Sequence, residues 1–229
     1  MKKNAEKKVA QKSEIIDIIV ECLSAKKYLP SEKELTERLG VSRPVLRELL
    51  SEFEASGIIV PTQGRGREVK FPDVSNSILG GWNILLRARP ASLLELLEVR
   101  YNLERGFLPS AIEALTLEDL QMMRDLVNRM EAKAQRKQLF KEEDQLFHRI
   151  LYSRTKNLVL DQLLHAFWEL FEQKSELHHS ANLAQAAELH HQLYQAILTE
   201  NTEEAEKLLK LQFHDVRQRI VNMMKSNQN

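Results

Sequence analysis

Between Pro30 and Gly57 the chain lays down two short helical patterns with only Gly40-Val41-Ser42 between them, a gap that leaves room for a sharp turn and little else. Ser31 precedes the first pattern and Glu34 follows three residues later, the spacing of a reciprocal cap on a helix running to about Leu39. Gly40 supplies the left-handed backbone such a turn needs, and Ser42 offers an N-cap ahead of Arg43-Pro44, where proline is tolerated in a first turn. The second pattern carries Val45, Leu46, Leu49, Leu50 and Phe53 on one side, with Arg43, Arg47 and Glu48 elsewhere, and stops at Gly57. An earlier helix over Ser13 to Ser24 shows the same periodicity through Ile15, Ile18, Ile19, Cys22 and Leu23. After Gly57 come two β-like runs, Ile58-Ile59-Val60 and Glu68-Val69-Lys70-Phe71, bracketing Thr62-Gln63-Gly64-Arg65-Gly66-Arg67. Three helices, a tight turn and a basic hairpin finger spell a winged helix-turn-helix over residues 13–71, with residues 1–12 as a basic flexible tail.

The remainder has a different character. Residues 72–90 read as a linker holding at most one short helix. From Ala91 onward there is no strand signal and almost no Gly or Pro. The pattern predicts helices over 91–113, 116–136, 138–153, 157–179, 183–199 and 202–225, with Thr116 and Asp119 as a capping pair. The fold class is therefore mainly α: a winged helix-turn-helix, then an all-α bundle of about six to seven helices over 91–225. At 229 residues, 43% of them hydrophobic, the chain can bury two ordinary cores. The Lys-rich start has no apolar stretch behind it and no run approaches a membrane span. With a single cysteine, Cys22, on an apolar helix face, this predicts a cytoplasmic protein and no membrane partner.

Net charge is zero, but Lys and Arg outnumber Asp and Glu by 14 to 11 in the first 70 residues and are outnumbered 19 to 22 in the rest. The asymmetry places the phosphate-facing end first. All 7 histidines lie at or beyond His148, so imidazole chemistry belongs to the second half.

The stretch from Leu29-Pro30-Ser31-Glu32-Lys33-Glu34 through Gly40-Val41-Ser42-Arg43-Pro44-Val45-Leu46-Arg47-Glu48 resembles the signature of GntR-family repressors. The second half is similar to the ligand-binding domain of the FadR-like branch, called FCD. The markers are Leu96-Leu97-Glu98-Val99-Arg100 with Glu104, Asp144-Gln145-Leu146-Phe147-His148, Asn157, His190, and Ala196-Ile197 followed by Ala205. The resemblance implies a ligand-responsive repressor that binds a palindromic operator in double-stranded DNA as a homodimer.

On the recognition helix, Arg43 and Arg47 are i,i+4 and share a face, and guanidinium suits both a bidentate guanine contact and a phosphate anchor. Ser42 and the helix-start amides favour a phosphate. The resemblance adds Lys33 and the wing residues Gln63, Gly64 and Arg65 to the DNA-binding set.

Asp144 and His148 project from one helix face at i,i+4, and His190 lies on a later helix. A carboxylate and imidazoles converging in a bundle fit a divalent metal such as Zn, Mn or Ni, and the resemblance implies an Asp and three His. Counting from the matched markers, the third histidine falls at 212, where this chain has Gln212; His214, two positions on, turns about 200° away on a helix. Asp144 and His148 can equally hydrogen-bond each other or a polar ligand. Arg100 is the residue the resemblance aims at an organic-acid effector, against the plainer reading of an i,i+4 pair with Glu104. Trp168 can line the same pocket or belong to the core.

Two rival readings stay open. A helical-bundle metalloenzyme is raised by Glu176-Leu177-His178-His179 and Glu188-Leu189-His190-His191, each with a Glu-x-x-His unit. A DNA-binding dimer without effector control is the other.

Overall fold

The computed structural model describes residues 2–25, 27–174 and 182–226. It divides into two compact units, residues 1–77 and 78–229.

The first unit holds α1 (Lys2–Ala25), α2 (Glu32–Leu39), α3 (Arg43–Ala55) and the hairpin strands β1 (Ile59–Thr62) and β2 (Gly66–Val69). Residues 1–12, expected as a flexible tail, form from Lys2 onward the first half of α1; Lys, Glu, Ala and Gln are strong helix formers, and no Gly or Pro interrupts them. The reciprocal cap of Ser31 and Glu34 is present, and Gly40 closes α2 at φ 60° with its N–H on the Thr36 carbonyl. Leu46, Leu49, Leu50 and Phe53 of α3 pack with Ile15, Ile18, Ile19 and Cys22 of α1 and with Leu35 and Leu39 of α2. Val45, expected on that apolar side, is 40% exposed. It precedes Leu46 by one residue, a turn of about 100° that carries it off the buried stripe.

The wing is a two-stranded antiparallel sheet with Ile59 opposite Val69 and Thr62 opposite Gly66. The pairing lies closer to the tip than expected: Pro61 and Thr62 join β1, while Lys70 and Phe71 fall outside β2. Backbone bonds from Leu29 N–H to the Arg67 carbonyl and from Val69 N–H to the Lys27 carbonyl anchor the wing's base to the chain ahead of α2.

The second unit is built from α4 (Ser75–Ala88), α5 (Ser92–Ala114), α6 (Leu117–Gln135), α7 (Lys141–Tyr152), α8 (Leu158–Glu172), α9 (Leu183–Leu198) and α10 (Thr202–Ser226). These are seven helices among the described residues. The 72–90 linker is thus mostly α4, a full 14-residue helix whose Leu79 and Leu86 enter the core of this unit. Helix α8 ends at Glu172, short of the expected 179; the stretch beyond Lys174, with Glu176, His178 and His179, lies outside the described residues. Pro109 sits within α5, and the helix continues through it. The Thr116–Asp119 capping box starts α6, and Arg154 adds two bonds to the same Asp119 carboxylate, at 3.0 and 3.1 Å. Phe147, Phe167, Leu108, Met123 and Met130 fill the centre of the unit, with Trp168 beside them. Around that core α5, α7, α9 and α10 present one face each to a common cavity.

Candidate functional site

The DNA-facing candidates gather at the start of α3 and the tip of the wing. Ser42 holds the N-cap position in extended conformation, yet its hydroxyl makes no cap hydrogen bond, contrary to expectation. Pro44, second in the helix, has no N–H to offer it, which halves the choice of donors. The hydroxyl and the first-turn amides of Arg43 and Val45 are therefore available to a phosphate. Arg43 and Lys33 are exposed. Arg47 is exposed too, but its guanidinium leans on Glu32, with Nη2 3.3 Å and Nε 3.4 Å from the two carboxylate oxygens. Glu32 also accepts from Arg67 Nη2 at 3.0 Å, and Arg67 Nε bonds Glu54 at 2.7 Å. The hydrogen bonds from Arg47 and Arg67 hold the Glu32 carboxyl below the usual carboxylate range. At the wing tip Gln63, Gly64 and Arg65 are exposed, and Gly64 takes the left-handed φ of 75° that closes the three-residue loop.

The second candidate is a cavity of about 400 Å³ inside the helical unit. Its walls include Arg100 from α5, Asp144 and His148 from α7, His190 from α9, and Gln212 and Arg219 from α10. This brings together every residue predicted for the sensing site. Leu97, Phe140 and Phe171 add apolar wall between these polar groups, so the cavity can take a ligand that is itself part polar and part apolar.

His190 is fixed from both sides. Its Nδ1 lies 2.8 Å from the Ala186 carbonyl one turn earlier, which makes Nδ1 the donor, and the edges of Phe140 and Phe147 pack against the ring. Nε2 then lies 2.7 Å from Asp144 Oδ1. Burial works against charge on this imidazole, but the hydrogen bond and charge of Asp144 outweigh it and raise its pKa above the usual histidine value. Burial likewise opposes charge on Asp144, and the His190 bond, with Arg100 adding to it, holds that carboxyl well below its ordinary range. His148 differs: burial dominates and favours the neutral ring, despite the carboxylates of Glu104 and Asp144 nearby.

Arg100 makes the i,i+4 pair weighed for it and also lines the cavity. Its Nε donates to Glu104 Oε1 at 2.7 Å, the i,i+4 pair, while the guanidinium lies over the rings of Phe171 and Phe213 at 5.4 and 5.3 Å and lines the cavity. Trp168 is a core residue; its indole N–H donates to the same Glu104 oxygen at 3.2 Å.

Asp144, His148 and His190 place one ligand atom each within 4.8 Å of one another, the only such group of metal-ligating side chains among the described residues. One carboxylate oxygen and two imidazole nitrogens with open positions fit a divalent transition metal. Gln212 lines the same cavity, and both its amide atoms are buried without a hydrogen-bond partner. A carbonyl oxygen is a weak ligand for such a metal, so this amide suits a ligand's hydroxyl or carboxylate at least as well. His214 is exposed at the cavity rim, 3.5 Å from Gln218. The second Glu-x-x-His unit does not converge: His191 bonds Glu131 at 2.7 Å on the outer surface and Glu188 bonds Gln192.

Sequence reasoning missed Arg219, which follows Gln212 by seven residues, two turns along one face of α10 and so legible in principle. It also missed the depth of Glu104, whose side chain is fully buried.

Residues 95–214 match the FCD domain family, and residues 13–69 match the bacterial regulatory proteins of the gntR family. The HTH-type transcriptional regulator YcbG of Bacillus subtilis is 30% identical over 66% of this chain, a match that spans 64% of that regulator's length. LutR of the same organism is 29% identical over 78% of this chain and 84% of its own. The galactonate operon transcriptional repressor of Escherichia coli is 28% identical over 78% of this chain and 81% of its own. Among solved structures, a GntR protein of Streptococcus agalactiae shares the fold with a TM-score of 0.63 at 22% identity, over 91% of this chain and 98% of that one. These families and relatives are regulators of transcription, not enzymes.

Proposed function

Because the chain belongs to the GntR family of bacterial regulatory proteins, in the branch that carries an FCD domain, we propose that this DNA-binding transcription regulator is a cytoplasmic homodimer that represses from a palindromic operator and is released by a small organic acid. The observation that carries the reading is the sharing of one cavity by Arg100 and the Asp144, His148, His190 group. Arg100 spends only Nε on Glu104, so its two terminal nitrogens are free to grip a carboxylate in bidentate fashion. Asp144, His148 and His190 would hold a divalent metal, which, when bound, supplies a Lewis-acidic anchor for the carboxylate or hydroxyl of the same ligand. One relative is named for a galactonate operon, and galactonate is a hydroxy carboxylate. The unpartnered amide of Gln212 offers both a donor and an acceptor to hydroxyls of that kind.

On DNA, the starts of the two α3 helices would enter successive major grooves while each wing tracks the adjacent rail. Ligand in the cavity would favour a different placement of the two heads, acting through α4, and so lower operator affinity.

The test begins with duplexes selected from random sequence by the purified protein. Their affinity is then measured against D-galactonate and L-lactate, with and without Zn²⁺ or Mn²⁺, alongside the metal content of wild type and Asp144→Ala. Inverted-repeat duplexes released by a hydroxy acid support the reading. A duplex affinity that no carboxylate or metal shifts would overturn it.

A further inference from the structure

Glu104 joins the two halves of the cavity. Its side chain is completely buried, and the Tyr152 hydroxyl pins its carbonyl at 2.9 Å. The two carboxylate oxygens have different company. Oε1 accepts from Arg100 Nε and from Trp168 Nε1. Oε2 has no hydrogen-bond partner and lies 3.8 Å from His148 Nδ1, which is itself buried without one.

Two buried polar atoms left unpaired at this separation each forgo a hydrogen bond, and each is a partner at hand for the other. From these contacts we propose that Glu104 is the positioning residue of the cavity. Its Oε2 takes the proton of His148 Nδ1 as a hydrogen-bond acceptor, so that Nε2 is the lone pair offered beside Asp144 and His190. Through Oε1 it also aims the free nitrogens of Arg100. The proposal rests on the metal and carboxylate reading above for its consequence, though not for the tautomer itself.

The polarity of the contacts makes the assignment testable by an isosteric change. Arg100 Nε–H and Trp168 Nε1–H can only donate, so the oxygen side of residue 104 must face them. In Glu104→Gln the amide oxygen is therefore held on that side and the NH₂ is turned to His148. There it donates to Nδ1 and moves the ring proton to Nε2, the atom a metal needs bare. A packing role alone predicts a silent substitution. Carboxylates that orient a ligating histidine in this way are commonly worth about 10- to 100-fold in metal affinity.

The experiment is long-range ¹H–¹⁵N correlation of the imidazoles in the full-length protein at pH 7.5, with the His148 signals identified by their loss in His148→Ala. Zn²⁺ titration of wild type and Glu104→Gln accompanies it. We expect His148 protonated on Nδ1 in wild type and on Nε2 in Glu104→Gln, with Zn²⁺ affinity lowered 10- to 100-fold and the helical circular dichroism unchanged. The same tautomer in both proteins, or an undiminished Zn²⁺ affinity in the variant, overturns the proposal. A tautomer switch without Zn²⁺ binding by either protein would retire the metal reading and leave the hold of Glu104 on His148 supported. Should Glu104→Gln fail to fold, the wild-type spectrum decides alone: a His148 proton on Nε2 refutes the proposal.

Discussion

Arg47 and Arg100 are each held by a carboxylate before any ligand arrives, and the burial of that carboxylate sets how each can be tested. Glu32 is partly exposed, so removing Arg47 strands no buried charge. Arg47→Ala should weaken selected duplexes by about 1–3 kcal/mol, roughly 5- to 150-fold, if the side chain reads a base; fluorescence anisotropy against a scrambled duplex separates that from a phosphate contact, which would weaken both alike. Glu32→Gln should raise affinity for any duplex at low salt, because it frees Arg47 and removes a negative charge beside it. Arg100 needs a gentler change. Truncating it leaves fully buried Glu104 without its counter-ion, a defect of about 3–5 kcal/mol that would confuse unfolding with lost sensing. Arg100→Lys keeps the charge and loses the planar fork, so calorimetry should show carboxylate binding weakened about tenfold or more in a protein that melts near wild type. Arg100, Asp144, His148 and His190 were legible because i,i+4 spacing and the family motifs mark them. The burial of Glu104 was not, since it depends on Trp168 and Tyr152, which lie 64 and 48 residues away along the chain.

Element boundaries follow the same division between local and tertiary causes. Caps are local, and Ser31, Gly40, Thr116 and Asp119 all mark real helix ends. Nothing lies within 4 Å of a Cβ placed on Gly40, so Gly40→Ala should be destabilising through its φ of 60° alone, by about 1–2 kcal/mol in a denaturant melt. The cap of α6 carries a pH signature. Burial would raise the Asp119 pKa, but Arg154 and the Thr116 hydroxyl and amide hold it below the usual carboxylate range. A depressed folded-state pKa stabilises above the unfolded pKa and ceases to do so as pH falls through the folded one. The melting difference between wild type and Asp119→Asn should therefore be constant above about pH 5 and shrink below about pH 4. Where tertiary packing decides, the sequence was silent or misleading. Residues 72–90 read as a linker, yet α4 runs through Gly80-Gly81 because Leu79 and Leu86, seven residues apart, bury one face in the helical core. Helix α7 begins at Lys141, not 138, because Phe140 turns into the core ahead of it.

For the whole molecule the property to test is energetic coupling between two units that each have a hydrophobic core of their own. Ligand in the cavity can alter DNA affinity only if it binds two arrangements of the DNA-binding heads unequally. For allosteric regulators that inequality is typically about 1–3 kcal/mol, or roughly 5- to 150-fold in operator affinity. Linkage makes it reciprocal: if a hydroxy acid weakens operator binding by a given factor, saturating operator must weaken hydroxy-acid binding by the same factor. Calorimetric titration of the acid into free protein and into the protein–operator complex measures this directly, with Arg100→Lys as the control in which both effects should fade together. Equal acid affinity in the two titrations would mean that the cavity and the recognition helices do not communicate. The helical unit would then serve assembly, and the acid would be bound without being sensed.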